Sequence, residues 1–334
     1  MKTFQVISIV AIFIIIIIIF LIYEYIYINS PNQNYQGGSQ TVNSIMKSMR
    51  LISLAPSDTQ ILISLGLGRD LVGIDDNSYS LLKELNETFL VSPNVSVIIS
   101  YPTVNISQLL LLKPTYVIAE QGLASSYARQ LIDSGLNVIF TNNDYASNFY
   151  QIENGIMDLA KRLNRTSEGQ ELVNWMNSQL QRFTYSGQNT TAYILWIDNN
   201  YNFYTIGGNT FISNIISLAG GVNVFSGQIN YPYLGPSQLI ISNPQVIMVS
   251  EIYNYSYTMY LINTFPGIKN VSAYRNGNVY VISGALANGL TQEPGPLAVY
   301  SIPMINMMLQ GKAPHYINSS WVMKTISPSI PVFT

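Results

Sequence analysis

RLISLAPSDTQILISLGLGRDLVGID, residues 50–75, sets out three elements in succession. Arg50–Leu54 is a short apolar run of strand character. Ser57-Asp58-Thr59-Gln60 follows, with Ser57 and Gln60 at capping-box spacing ahead of Ile61, Leu62 and Leu65, so a helix is expected to start there. Gly66 and Gly68 stop it, and Leu71–Ile74 is a second apolar strand. A strand, a helix and a strand over so short an interval make a βαβ unit, which requires parallel pairing.

The same alternation continues outward. Val95–Ile99, Tyr116–Ala119 and Asn137–Phe140 read as buried strands, with helices over Ile106–Leu112 and Ser125–Ser134. From Ser147 to Phe183 the rhythm changes. Phe149, Ile152, Ile156, Leu159, Ala160 and Leu163 hold helical spacing, and Leu172, Trp175, Met176, Leu180 and Phe183 resume it after a break point at Asn164–Ser167. At ~1.5 Å per residue such a segment spans a lobe, and it reads as a rigid connector. Beyond Gly187, strands are expected over Ala192–Ile197, Gln245–Val249 and Asn278–Ile282, and helices over Thr210–Leu218, Pro236–Ile241, Tyr257–Thr264 and Pro294–Leu309. The expected class is α/β: two Rossmann-like lobes with parallel sheets, residues 49–146 and 186–312, joined by a long connecting helix over 147–185 and followed by a tail over 313–334.

Residues 1–28 read as one N-terminal transmembrane helix, because Val6–Tyr23 is uncharged and long enough to cross a hydrocarbon core of ~30 Å. Glu24, Tyr25 and Tyr27 follow at once in place of a small-residue cleavage site, which favours an uncleaved anchor. Lys2 before the span and Glu24 after it leave the rest of the chain outside the cell. Residues 29–48, rich in Asn, Gln, Ser and Gly, form a tether. The absence of cysteine excludes a lipidated Cys and any disulfide framework in this sequence. Charged residues make up 10% of the chain, where about 25% is usual. The net charge of −2 with no basic cluster excludes nucleic acid as a partner. Such a surface suits an acidic exterior, where carboxylates with reference values near ~4 are largely neutral and ion pairs are of little use. Eight Asn-X-Ser/Thr sequons, at Asn86, Asn94, Asn105, Asn164, Asn189, Asn254, Asn270 and Asn318, are compatible with a cell-surface glycoprotein and equally with chance in an Asn-rich chain.

Several blocks in order resemble one family. Residues 50–75 are similar to the first strand, helix and second strand of the class III periplasmic binding proteins, which deliver vitamin B12, ferric siderophores or haem to ABC importers. ISQLLLLKPTYVIA, residues 106–119, resembles the family's helix and K-P-D-x-V-I-A strand, with Thr115 where Asp is usual. GGNTFISNIISLAGGVNV (207–224) and SQLIISNPQVIMV (237–249) resemble its second-lobe segments, and coverage runs from about Arg50 to about Leu309. The resemblance implies a receptor without enzymatic activity or cofactor. It would hold a metal chelate, cobalamin or a ferric siderophore, in a shallow cleft between the lobes and pass it to an ABC permease and its ATPase.

Loops that follow strands supply the candidate ligand contacts: Ser57, Asp58, Tyr79, Tyr101 and Gln121 in the first lobe, and Tyr204, Tyr231, Tyr233 and Tyr253 in the second. Aromatic faces stack on a planar or greasy chelate while a few polar groups orient it. The resemblance puts Tyr101 and Tyr231 where cobalamin-binding relatives place aromatics against the corrin. Ser57 also reads as a helix cap, Asp75 and Asp76 as turn formers, and His315 as a surface residue in a tail. One histidine excludes a receptor for bare zinc or manganese, which needs several imidazole ligands; haem would need a tyrosinate ligand. Where relatives carry permease-docking glutamates, this sequence has Ser125 and Ser237, with Glu120 as a possible substitute on one lobe. The competing readings are a cell-surface structural or adhesion protein and an enzyme on the same scaffold. There is no nucleophile elbow, P-loop or cysteine to carry the second.

Overall fold

The opening βαβ unit forms with one local change. β1 (Leu51–Ser53), α1 (Pro56–Ser64) and β2 (Leu71–Asp75) follow in order, but α1 begins at Pro56, whose missing N–H is no loss in a first turn. Ala55 is therefore the N-cap and makes no side-chain bond, so the expected capping box does not form. Ser57 and Gln60 are buried inside the fold instead. The computed structural model describes residues 49–334, so the expected membrane helix (1–28) and tether (29–48) lie outside the described residues. Among the described residues no helix is long and apolar enough to cross a membrane.

Asp75 caps the next helix, α2 (Asp76–Leu85), its Oδ1 accepting the Ser78 N–H at 2.9 Å. The Asp75–Tyr79 segment, expected as a cleft turn, is thus the start of a helix that buries Leu81, Leu82 and Leu85. β3 (Ser96–Ile98), α3 (Ile106–Leu111), β4 (Tyr116–Glu120), α4 (Ala128–Asp133) and β5 (Val138–Thr141) complete the first lobe. Its sheet runs β3-β2-β1-β4-β5, every pair parallel, which is a doubly wound order.

The connector is not one long helix. α5 (Phe149–Arg162) and α6 (Thr166–Phe183) are separated at Asn164, which takes a left-handed conformation with φ 57°. The Arg165 N–H returns to the Ala160 carbonyl at 2.7 Å and the Asn164 N–H to that of Lys161 at 3.2 Å, a Schellman ending. The two helices then fold back on each other: Gly169 lies against Ala160, where an added Cβ would come within 2.5 Å of the Ala160 Cβ, and Glu153 bonds Asn177 further along. A left-handed Asn and a later Gly thus turn a connector rod into an antiparallel hairpin.

In the second lobe, β6 (Asn189–Ile197), β7 (Phe203–Thr205), α7 (Phe211–Leu218), β8 (Gly221–Asn223), β9 (Tyr233–Leu234) and α8 (Pro236–Ser242) come first. β10 (Val246–Ser250), α9 (Tyr255–Thr264), α10 (Ser272–Arg275), β11 (Val279–Ile282) and α11 (Gly284–Gln292) follow, then α12 (Ser301–Leu309), β12 (Tyr316–Ile317) and α13 (Ser319–Thr325). The sheet order is β12-β11-β10-β6-β7-β9, with β8 beside β6. It is mixed where a parallel sheet was expected, since β7 pairs antiparallel with both β6 and β9. Asp198 explains the first reversal, because its Oδ1 accepts the Asn200 and Asn202 N–H groups at 2.8 and 2.9 Å and closes a tight turn that only antiparallel strands can use. Ser283–Asn288 forms the cap and first turns of α11. The tail is also folded: β12 joins the sheet beside β11, and Phe333 donates its N–H to the Ser64 carbonyl of the first lobe at 2.9 Å.

The core has three parts. Ile52, Ile98, Val117 and Leu131 pack on the outer face of the first sheet, and Ala192, Leu239, Ile247 and Leu261 on the outer face of the second. Between them a single cluster runs from Leu51 and Ile74 through Phe149, Ile156 and Met176 to Tyr193, Ile282 and Leu297. The two inner faces therefore share one apolar core. Polar ties reinforce it: Gln60 Oε1 accepts the Leu297 N–H at 3.0 Å, Glu84 Oε2 accepts the Leu286 N–H at 2.6 Å, and Glu87 takes the Ser329 hydroxyl at 2.6 Å and the Ile330 N–H at 3.1 Å. Independent swinging of the lobes would expose that core and break these bonds.

Candidate functional site

In a doubly wound sheet the connections change sides between β1 and β4, and ligands usually bind beyond the strand ends at that point. Here protein fills it. Ser57 and Asp58 are fully buried; the Ser57 hydroxyl donates to Glu120 Oε1, and the Thr141 hydroxyl donates to Asp58 Oδ2 at 3.0 Å. Gly295 of the second lobe closes over them, close enough that a Cβ there would lie 2.8 Å from Gln60 Oε1 and 3.1 Å from the Ser57 Cα. Ser57 and Asp58, expected as ligand contacts, are instead parts of the seam between the lobes. Glu120 is buried as well, so it cannot stand in as a docking group on the surface.

The rim is more open. Tyr101, 66% exposed, follows β3, and the Ser126 hydroxyl ties its loop to the β4–α4 loop through the Pro102 carbonyl at 3.0 Å. In that second loop the Gly122 and Leu123 N–H groups, next to Gln121, both donate to Asp144 Oδ2, at 2.6 and 3.1 Å. Tyr231 comes from the other lobe. It is 51% exposed, and burial of its hydroxyl together with the charge of Asp144 raises its pKa. Asp144 therefore holds the Gln121 loop, and its charge is felt by Tyr231 of the other lobe.

A second aromatic group lies on the sheet of the second lobe. Trp196 on β6 pairs with Tyr204 on β7, and Tyr204 with Tyr233 on β9, so the three side chains share one face. The neighbouring Phe203 is buried in the outer core, which puts Tyr204 on the inner face with Tyr193. Trp196 is 41% and Tyr233 49% exposed; the Tyr204 and Tyr233 rings are 4.8 Å apart at 39°. The Tyr233 hydroxyl donates to Asp198. Burial and the Asp198 charge raise the pKa of the Tyr204 phenol. Trp196 did not emerge from the sequence, because only strand register assigns it to this face; a Trp at the carboxyl end of a long strand was the available signal.

Two expected residues lie elsewhere. Tyr253, left-handed at φ 59°, meets Tyr257 edge-on at 5.6 Å and heads a separate row of tyrosines at the start of α9. Tyr79 is on α2, packed against the shared core with Lys83 Nζ 5.9 Å from its ring centre. A hollow of about 470 Å³, lined by Ser147, Asn148, Asn209, Asn214, Asn223 and Ser226 among others, contains none of the expected contacts. Ser125 and Ser237 are both exposed, one on each lobe.

Two α/β lobes sharing a core, with an aromatic rim between them, define a binding protein of the fixed-hinge kind. The chain belongs to the periplasmic binding protein family, whose model matches residues 51–286. It is 24% identical over 221 residues to an uncharacterized ABC transporter substrate-binding lipoprotein of Bacillus subtilis, covering 64% of this chain and 67% of that one. It is 27% identical over 206 residues to a vitamin B12-binding protein of Vibrio cholerae, covering 60% of this chain and 70% of the relative. Among solved structures, the periplasmic heme-binding protein HutB of V. cholerae superposes with a TM-score of 0.65 at 20% identity, over 79% of this chain and 99% of that one. All three are binding proteins, not enzymes.

Proposed function

We propose that this chain is the extracytoplasmic substrate-binding protein of an ABC importer, and that it captures a bulky metal chelate, a corrinoid or a ferric siderophore, on the rim between its lobes. The observation that carries the reading is the aromatic surface: Trp196, Tyr204 and Tyr233 on one sheet face, with the exposed Tyr101 and Tyr231 on loops of the two lobes. Exposed rings on a rigid base offer stacking area at low entropic cost, which suits a ligand presenting a broad apolar face. Orientation would come from Gln121 and the tyrosine hydroxyls. The shared core leaves little room for large closure on binding. Delivery to the permease and its ATPase would use the exposed faces around Ser125 and Ser237 through neutral hydrogen bonds, with the chain held at the membrane by residues 1–28.

The test is a titration of the full chain with cyanocobalamin, a set of ferric siderophores and haem, followed by tryptophan fluorescence and calorimetry. Saturable one-to-one binding of a corrinoid or siderophore is expected. Binding of haem alone would replace the chelate class, and binding of none would favour a cell-surface structural or adhesion role.

A further inference from the structure

Five carboxyl groups approach the seam described above, and among the described residues no ion pair involves any of them. Asp58 on α1, Glu120 at the end of β4, Asp75 at the cap of α2 and Asp144 after β5 come from the first lobe; Glu293, just beyond α11, comes from the second. Asp58, Asp75 and Glu120 are buried, and Glu293 is part-buried two residues before the Gly295 that covers Ser57. Other titratable neighbours are Asp76, whose charge acts on Asp75; Tyr145, in the same loop as Asp144; Tyr127, pushed up to about 12 by burial and then by Asp75 and Glu120; and Tyr231, raised by burial and then by Asp144. The ion pairs among the described residues, Arg129–Asp133, Arg162–Asp158 and Arg165–Glu168, each join near neighbours along the chain and involve none of the five.

Hydrogen-bond supply points the same way. Ser57 gives one proton to Glu120 and Thr141 one to Asp58, while Asp58 Oδ1 and Asp144 Oδ1 are buried with no partner. An ionised carboxylate only accepts, whereas a protonated one also donates. A buried carboxyl with few donors around it is favoured in its neutral form, in which one of its oxygens can donate. We propose that the seam is held by protons: Asp58 and Glu120 of the first lobe and Glu293 of the second meet there as neutral carboxyls, so the lobes stay joined in an acidic medium and loosen as the pH rises.

The expected titration agrees in sign. Burial, then mutual repulsion, lifts Asp58 to about 8 and Glu293 to about 7 and raises Glu120 well above its usual value. Between ~4, where unfolded carboxyls titrate, and those folded values, the native state binds more protons than the unfolded one, so stability falls with rising pH. It is complete below ~4 and is lost as the pH passes through about 7 to 8. An opening that releases one proton becomes about tenfold more favourable per pH unit in that window.

The experiment is thermal unfolding of the full chain from pH 3 to 9, for the native sequence and for Glu120→Gln, Glu293→Gln and the double variant. The amides mimic the protonated groups. The native Tm should fall steadily from pH 4 to 8, and the double variant should match it at pH 4 and fall less steeply above, since Asp58 and Asp75 still titrate there. A native Tm that is level or rises over this range overturns the proposal, as does a double variant that keeps the native slope. So does recovery of the acid-state Tm at pH 8 by added magnesium or calcium, since the cluster would then be a cation site. If the variants fail to fold, amide exchange in the native chain decides: the opening constant at Leu297 N–H, held by Gln60 at 3.0 Å, should be larger at pH 8 than at pH 5, and equal constants refute the idea.

Discussion

Gln60 offers the sharpest test of whether the lobes are fastened to each other. It is 1% exposed, and its Oε1 is the acceptor for the Leu297 N–H of the other lobe at 3.0 Å. Gln60→Met keeps the length and most of the volume, so its cost isolates the lost acceptor. A buried N–H left without a partner costs about 1–3 kcal/mol. Gln60→Ala also opens a cavity, and should cost about 2–5 kcal/mol. Urea unfolding of the full chain at pH 5, below the titration of the seam, measures both through the midpoint at unchanged slope. At ~2–4 °C per kcal/mol for chains of this order of size, Gln60→Met should also lower Tm by several degrees. A Gln60→Met protein within about 0.5 kcal/mol of native would mean that this bond does not fasten the lobes, and the rigid-seam account would lose its main polar tie.

Other outcomes follow from the same geometry. Gly169→Val places a branched side chain against Ala160 and should destabilise the α5–α6 hairpin by about 1–3 kcal/mol; unchanged stability would show that the helices are not in close contact there. Tyr101→Ala, Tyr231→Ala and Trp196→Ala should each weaken chelate binding by about 1–2 kcal/mol, read by calorimetry, and unchanged affinity in all three removes the aromatic rim from the site. Asp144→Asn should lower the pKa of Tyr231, because it removes a like charge beside the forming phenolate. Difference absorbance of tyrosinate between this variant and the native chain measures it, and identical titrations would separate the two residues.

The first lobe was largely legible because its strands are apolar runs spaced by helices, and β1, β2, β4 and β5 fall within a residue or so of expectation. The second lobe hid more, since β7, β8, β9 and β12 are two or three residues long and carry no period that a sequence can display. Ser57 misled for a local reason: the capping pattern was present, but Pro56 moved the helix start ahead of it. The tail misled for a non-local one, as its order depends on β11 and on Ser64, far away in sequence. At the candidate site, individual tyrosines were visible while their grouping was not. Register decides that Trp196, Tyr204 and Tyr233 share a face, whereas Tyr253 packs on Tyr257 at the start of α9.

One constraint connects features that otherwise look unrelated. In an acidic exterior a surface carboxylate gives little attraction to a cation, so ion pairs lose their use in folding and docking alike. A chain with 10% charged residues, serines at the proposed docking positions and uncharged amides and hydroxyls over its surface is consistent with that setting. The seam is the informative case, because carboxyls are buried there and no ion pair among the described residues involves them. Near neutral pH such a cluster is a liability, five mutually repelling groups at the junction of two lobes. In acid it becomes a set of hydrogen-bond donors and acceptors in a shared apolar core, which is the arrangement a rigid, preformed binding surface requires.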